Sequence, residues 1–192
     1  MTDAGVGTSQ SCGMVVNGAA GPAAGGGGEA APIQIDPAVA ARAAVARLNI
    51  PMPVAEVGPD PSVNEWGMAA VGYPLWLWVD GPATHRTTVT EQGITIALAA
   101  TRRTTGFSMG DGTLKWCGTM QPWTPAVAPG AASPSCGHTY QQPSTPGTYA
   151  ITATTVWDVQ WAALGQSGTI PFERTGPATQ LPVGEVLAVR TR

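Results

Sequence analysis

Charge is scarce in this sequence. Charged residues make up 11% of its 192 positions, about half of the roughly 25% usual for soluble domains. Lys115 is the sole lysine among nine basic residues, and the net charge of −3 is small and scattered. No basic stripe exists to track phosphates, so nucleic acid is not an expected partner. Long apolar runs are also missing. The most apolar window, Met68 to Val79, is broken by Gly72 and Pro74 and is too short to span a bilayer. Met1 to Gly13 has neither a basic start nor an apolar h-region, so no targeting segment is visible. That leaves open whether Met1 begins a mature form, a trimmed form or a misplaced start.

Hydrophobic residues reach 43%, enough for a sizeable core, and solubility must rest on Thr, Ser, Gln and the backbone. Such a bias is familiar in secreted β-proteins, and the abundance of Ala, Gly, Pro and Thr reads as the coding bias of a GC-rich genome such as an actinomycete's. The three cysteines are Cys12, Cys117 and Cys136. Joining Cys117 to Cys136 would close a loop of about 20 residues, worth on the order of 3 kcal/mol. Two reduced, buried thiols are the alternative; the disulfide is the expectation, because it suits a Pro/Gly/Ala-rich loop and a location outside the cytoplasm. Cys12 is then left over, free or paired elsewhere. No Cys-x-x-Cys pair is present, so these thiols are a poor fit to a metal.

Composition divides the chain. Residues 1–31 are a Gly/Ala-rich stretch with few large apolar side chains, read as a flexible leader. Residues 32–65 hold a short helix and a Pro-rich connector: Asp36 is a natural N-cap, Pro37 suits the first helical position, and the alanine-rich run continues to Leu48. Ala41, Val45 and Leu48 form a stripe suited to docking on a sheet edge. Residues 66–192 read as strands. Leu75, Leu77 and Val79 share one face of a first strand and Trp76 and Trp78 the other. Ile94, Ile96 and Leu98 point inward from Gly93–Ala100. Thr104–Met109 and Thr113–Cys117 form a hairpin, Thr148–Trp161 is unusually long, Thr169–Glu173 returns from a Gly165 turn, and Gln180–Val189 closes the set. Frequent short strands with no later helix favour a two-sheet sandwich.

Phe107-Ser108-Met109-Gly110-Asp111-Gly112, then His138-Thr139-Tyr140, then Gly147-Thr148-Tyr149 carry a resemblance. Glycine at 110 and 112 permits the positive φ of a tight reversal, and Asp111 can accept backbone N–H groups there. The set, over about Gly93 to Val189, resembles the PKD family of immunoglobulin-like β-sandwiches, with Ser108 and Met109 in place of the family's usual Asp and aromatic. The whole arrangement is similar to uncharacterised actinobacterial secreted or surface proteins with one PKD-like domain. The resemblance implies an all-β, immunoglobulin-like fold with a structural role for Gly110, Asp111, Gly112, His138, Tyr140 and Tyr149, in a protein that is extracellular and non-catalytic.

The residues themselves offer little chemistry. Nucleotide binding would need a glycine-framed Gly-Lys-Ser/Thr, and Lys115 lies in Leu114-Lys115-Trp116 instead. His138 with Asp111 as orienter has no Gly-x-Ser-x-Gly nucleophile to serve, His85 reads as a solvated loop histidine, and Asp111 alone is too few ligands for calcium. No catalytic residue, cofactor or metal is therefore expected. Seven tryptophans are many for this length. Either they fill the core and plug the join to the helix, or Trp157 and Trp161 project beyond the sandwich and form an exposed patch with Trp123. The patch is the candidate binding surface. The expected role is an interaction or spacer module with a protein or cell-envelope partner. The alternatives are a polysaccharide-binding accessory domain or a subunit of an envelope assembly.

Overall fold

The computed structural model describes residues 35–144 and 146–186. The leader of residues 1–31, Cys12 and the end of the expected closing strand lie outside them. The elements are α1 (Pro37–Ala46), β1 (Glu56–Gly58), β2 (Ala69–Ala70), β3 (Leu75–Trp78), β4 (Thr84–Glu91), β5 (Ile94–Ser108), β6 (Leu114–Cys117), β7 (Gly137–His138), β8 (Tyr149–Ala163), β9 (Gln166–Thr175), β10 (Thr179–Leu181) and β11 (Val183–Gly184). The chain is mostly β, with several sheets, none closed.

Two antiparallel strands of 15 residues each, β5 and β8, form the centre of a six-stranded sheet. β4 and β6 pair end to end along β5, and β9 and β10 do the same along β8. β5 unites two segments that periodicity separates, Gly93–Ala100 and Thr104–Met109. The cause is a bulge between Arg102 and Thr104, where one extra residue flips the side-chain alternation. Ile94, Ile96, Leu98 and Ala100 thus share the inner face with Thr105, Phe107 and Met109, opposite Trp161, Val159, Trp157, Thr155, Ala153 and Ile151 of β8.

That inner face is covered in two halves. At the β4/β9 end, α1 lays Ala40, Ala41, Ala44 and Val45 over Ile96, Leu98, Trp157, Val159 and Trp161. Asp36 accepts the Ala38 N–H at 2.8 Å and Pro37 opens the helix, as expected of an N-cap. The helix ends at Ala46 rather than Leu48, and it packs on β4, β5, β8 and β9 together, across a sheet face and not at an edge. Alanine makes this possible, because small side chains let the backbone settle onto the bulky tryptophans.

At the other end a three-stranded sheet, β1-β3-β7, sets Leu75, Leu77 and Val79 against Phe107, Met109, Ile151 and Ala153. β1, which composition assigns to a connector, is thus a strand of this layer, and α1 and β1 belong to the same packed unit as the strands that follow. His85 is a correction: it lies in β4, not in a loop. The Thr-rich run was hidden because Val89 is its only large apolar side chain and its inner face is just half buried. The described part of the closing strand, through Val186, is not continuous. It is divided at Pro182 into β10, paired with β8, and β11, paired in parallel with β2, since proline has no N–H for the ladder. Among the described residues no helix is long and apolar enough to cross a membrane.

A candidate interaction groove beside the stapled excursion

The resemblance-bearing motif is built as a closed structural knot. β5 and β6 are joined through Gly110 (φ 79°), Asp111 and Gly112 (φ 88°), and the Met109 N–H donates to Thr113 O at 2.9 Å. A Cβ at residue 110 would press on the Ala150 backbone, so Gly110 serves both the turn and the close approach of β8. Asp111 accepts the Thr113 N–H at 2.8 Å and meets His138 Nε2 at 2.8 Å. Tyr140 is buried, donates its hydroxyl to Met109 O at 2.8 Å, stacks on Tyr149 and takes the His138 edge. Burial pushes the Tyr140 phenol up, which keeps it a neutral donor. The His138 side chain is 7% exposed.

Burial alone would raise the Asp111 carboxyl, but its bonds with Thr113 and His138 outweigh that and hold it below the ordinary carboxylate range. A depressed carboxylate stabilises the fold above its unfolded-state pKa, and that contribution disappears as pH falls through the folded value. Asp111→Ala should cost about 2 kcal/mol at neutral pH. Urea melts at stepped pH should show the gap from wild type closing in acid, below the usual aspartate titration; a gap independent of pH would contradict the assignment.

Trp157 and Trp161 do not form the expected exposed patch. They are 3% and 7% exposed. The long β8–β9 hairpin does run past the small sheet, and α1 covers what would have been its open face. Trp157 donates Nε1 to Thr155 Oγ1 at 2.9 Å, and the Trp161 indole lies over Gly168. Trp123 has different neighbours. It is half-buried, and its side chain sits on Gly58, where any Cβ would overlap it.

The excursion between β6 and β7 is tied down at several points. The Cys117 and Cys136 sulfurs are at bonding distance, with Cα atoms 5.8 Å apart. Farther along, Trp76 Nε1 donates to Ala131 O at 2.9 Å and the Gly130 N–H donates to the Tyr73 hydroxyl at 2.8 Å. The excursion therefore folds back over the small sheet, with Trp123 against β1. Facing it is a loop that sequence reasoning passed over. Asp60 caps a short 3₁₀ turn over Pro61–Val63, Asn64 accepts the Trp66 N–H at 3.1 Å and donates to Met68 O at 2.9 Å, and Gly67 takes φ 61°. These bonds present Trp66 to solvent, 55% exposed.

Between the two walls lies a groove of about 350 Å³, lined by Val63, Trp66, Met68, Tyr73, Trp123 and prolines of the excursion. Tyr73 is its one ionisable group, and the hydroxyl is already engaged by Gly130. The signal for Trp66 was available as Asn64-x-Trp66-Gly67, a side-chain-capped turn with a glycine to complete it. A larger depression, about 640 Å³, lies across β4, β5, β8 and β9 and is lined mostly by threonine, alanine and other small residues. It offers little to anchor a partner. A third site, about 280 Å³, surrounds Trp116, which lies flat on Gly106 and is 54% exposed, beside Thr152, Thr154, Thr175 and Glu173.

Among the described residues no cluster of three or more His, Cys, Asp or Glu side chains could hold a metal. No family model matches this chain, and neither a curated protein nor a solved structure matches it.

Proposed function

We propose that this chain is a non-catalytic extracellular interaction or spacer module, a PKD/immunoglobulin-like sandwich that contacts a protein partner at the cell envelope through the Trp66–Trp123 groove. The observation that carries this reading is the groove itself. Two tryptophans, a methionine and a tyrosine converge there on a backbone fixed by capped turns, a disulfide and cross-loop hydrogen bonds. Aromatic and methionine side chains are the types enriched at the centres of protein interfaces, and a pre-ordered surface loses little entropy on binding. The Asp111–His138 pair supports a structural role for the motif, since both carboxylate oxygens and His138 Nε2 are already engaged in tying the hairpin to β7. The disulfide supports a location outside the cytoplasm.

Retention on envelope fragments of the source organism tests the proposal. Trp66→Ala and Trp123→Ala should each weaken retention at least about tenfold, the scale of an interface hot spot, with the fold intact by circular dichroism. Protease treatment of the fragments should abolish retention. Unchanged retention by both variants would remove the groove from the account.

Polysaccharide binding is the second reading, favoured by Trp116. A half-exposed indole flanked by hydroxyls and a carboxylate is suited to stack on a sugar ring and bond its rim. It predicts protease-resistant retention that Trp116→Ala abolishes. A place in an envelope assembly would instead appear as a defined hetero-oligomer in native membrane extracts.

A further inference from the structure

β4 is an edge strand whose outer main chain is unpaired within the described chain. It is eight residues long, Thr84–Glu91, with no proline, lysine or bulge, three of the devices that blunt an edge, and its charged side chains are Arg86 and the inward-facing Glu91. The opposite long edge, β9, carries Pro171 in mid-strand, while β6 and β10 are only four and three residues long. Among the described residues β4 is thus the one long edge without proline, lysine or bulge.

The geometry points to antiparallel pairing of β4 with β4 of a second copy of this chain, centred on Thr88. Ala83 O accepts the Arg102 N–H at 2.8 Å, so alternate residues from Ala83 through His85, Thr87 and Val89 to Glu91 are the ones bonded to β5. The N–H and C=O groups of Thr84, Arg86, Thr88 and Thr90 therefore point away from the sheet. A two-fold axis through Thr88 brings these groups together, Thr88 with its own copy and Arg86 with Thr90 in both directions.

Side chains select this register. Cross-strand neighbours share a face, so on the inner face His85 comes opposite Glu91 of the second copy, twice by symmetry, and Thr87 comes opposite Val89. Arg47 occupies Glu91 Oε2, leaving Oε1 for the imidazole N–H. Sliding by one residue on each strand removes both His85–Glu91 pairs and sets Val89 or Thr87 against itself. The outcome is a continuous sheet through two molecules, with the Trp66–Trp123 groove uninvolved, so this inference stands apart from the proposed function.

Sedimentation velocity of the full chain across micromolar concentrations should show a reversible dimer. His85→Glu sets like charges opposite each other at both symmetric positions and should weaken it about tenfold, whereas His85→Lys should tighten it. Thr88→Cys should cross-link to its own copy under mild oxidant, identified by peptide mass, far faster than Thr87→Cys. A wild type that stays monomeric at high micromolar concentration would overturn the pairing. So would a dimer that responds identically to both His85 changes, or one that gives no 88-to-88 link.

Discussion

Trp157→Ala is expected to lower unfolding stability by about 3–5 kcal/mol, the range for truncating a buried large aromatic. The indole is the hinge of the core under α1. It is 3% exposed, its Nε1–H bonds to Thr155, and the Arg102 guanidinium lies 5.9 Å from its ring centroid. Its neighbours include the alanines of α1 and Phe172, the cross-strand partner on β9. Alanine there would leave a void that the helix cannot close without leaving the sheet, and would strip the Thr155 hydroxyl of its indole donor, leaving only its own bond to Arg174 O, beside Thr105, whose Oγ1 is already without a partner. Denaturant melts should show the loss, while envelope retention per folded molecule stays near wild type. A variant of normal stability that fails to bind would restore Trp157 to the surface role its sequence position suggested.

Removing the disulfide is the second large effect. Cys117→Ser with Cys136→Ser releases a link across 19 residues, which should cost about 3 kcal/mol through the entropy regained by the unfolded chain. For a chain of this length that corresponds to a fall of roughly 6–12 °C in Tm. The functional consequence is separate. Trp123 hangs on the excursion, held against Gly58, so loosening the base of the loop should weaken groove binding in proportion to the time Trp123 spends off β1. Calorimetry with and without reductant, alongside retention assays, measures both. Two alkylatable thiols at Cys117 and Cys136 in native protein, or no change in Tm on reduction, would contradict the staple.

Local chemistry made some elements readable in advance. The Asp36-Pro37 start of α1, the Gly110 and Gly112 turn and the alternation along β8 each follow from a few neighbouring residues. What escaped depends on residues distant in sequence. The bulge at Arg102 to Thr104 interrupts the period of β5, so one strand reads as two. β4 is stabilised by pairing with β5 more than by its own apolar content. The tryptophans mislead for a similar reason: alternation tells which residues share a face, but only the placement of α1 decides that the face of Trp157 and Trp161 is covered. Trp66 and Trp123 are 57 positions apart in the numbering of the chain, and nothing in either segment announces that a disulfide-anchored loop will set them across one groove.

Photo-cross-linking from the rim of that groove is the most direct test of the central claim. Val63 is 65% exposed beside Trp66, and Leu164, 71% exposed, marks the β8–β9 turn far along the large sheet. A photoreactive residue at position 63, illuminated on native envelope fragments, should give a discrete protein adduct that Trp123→Ala suppresses, whereas position 164 should not give that adduct. No protein adduct at position 63, or the same adduct from both positions, would contradict a protein-binding groove.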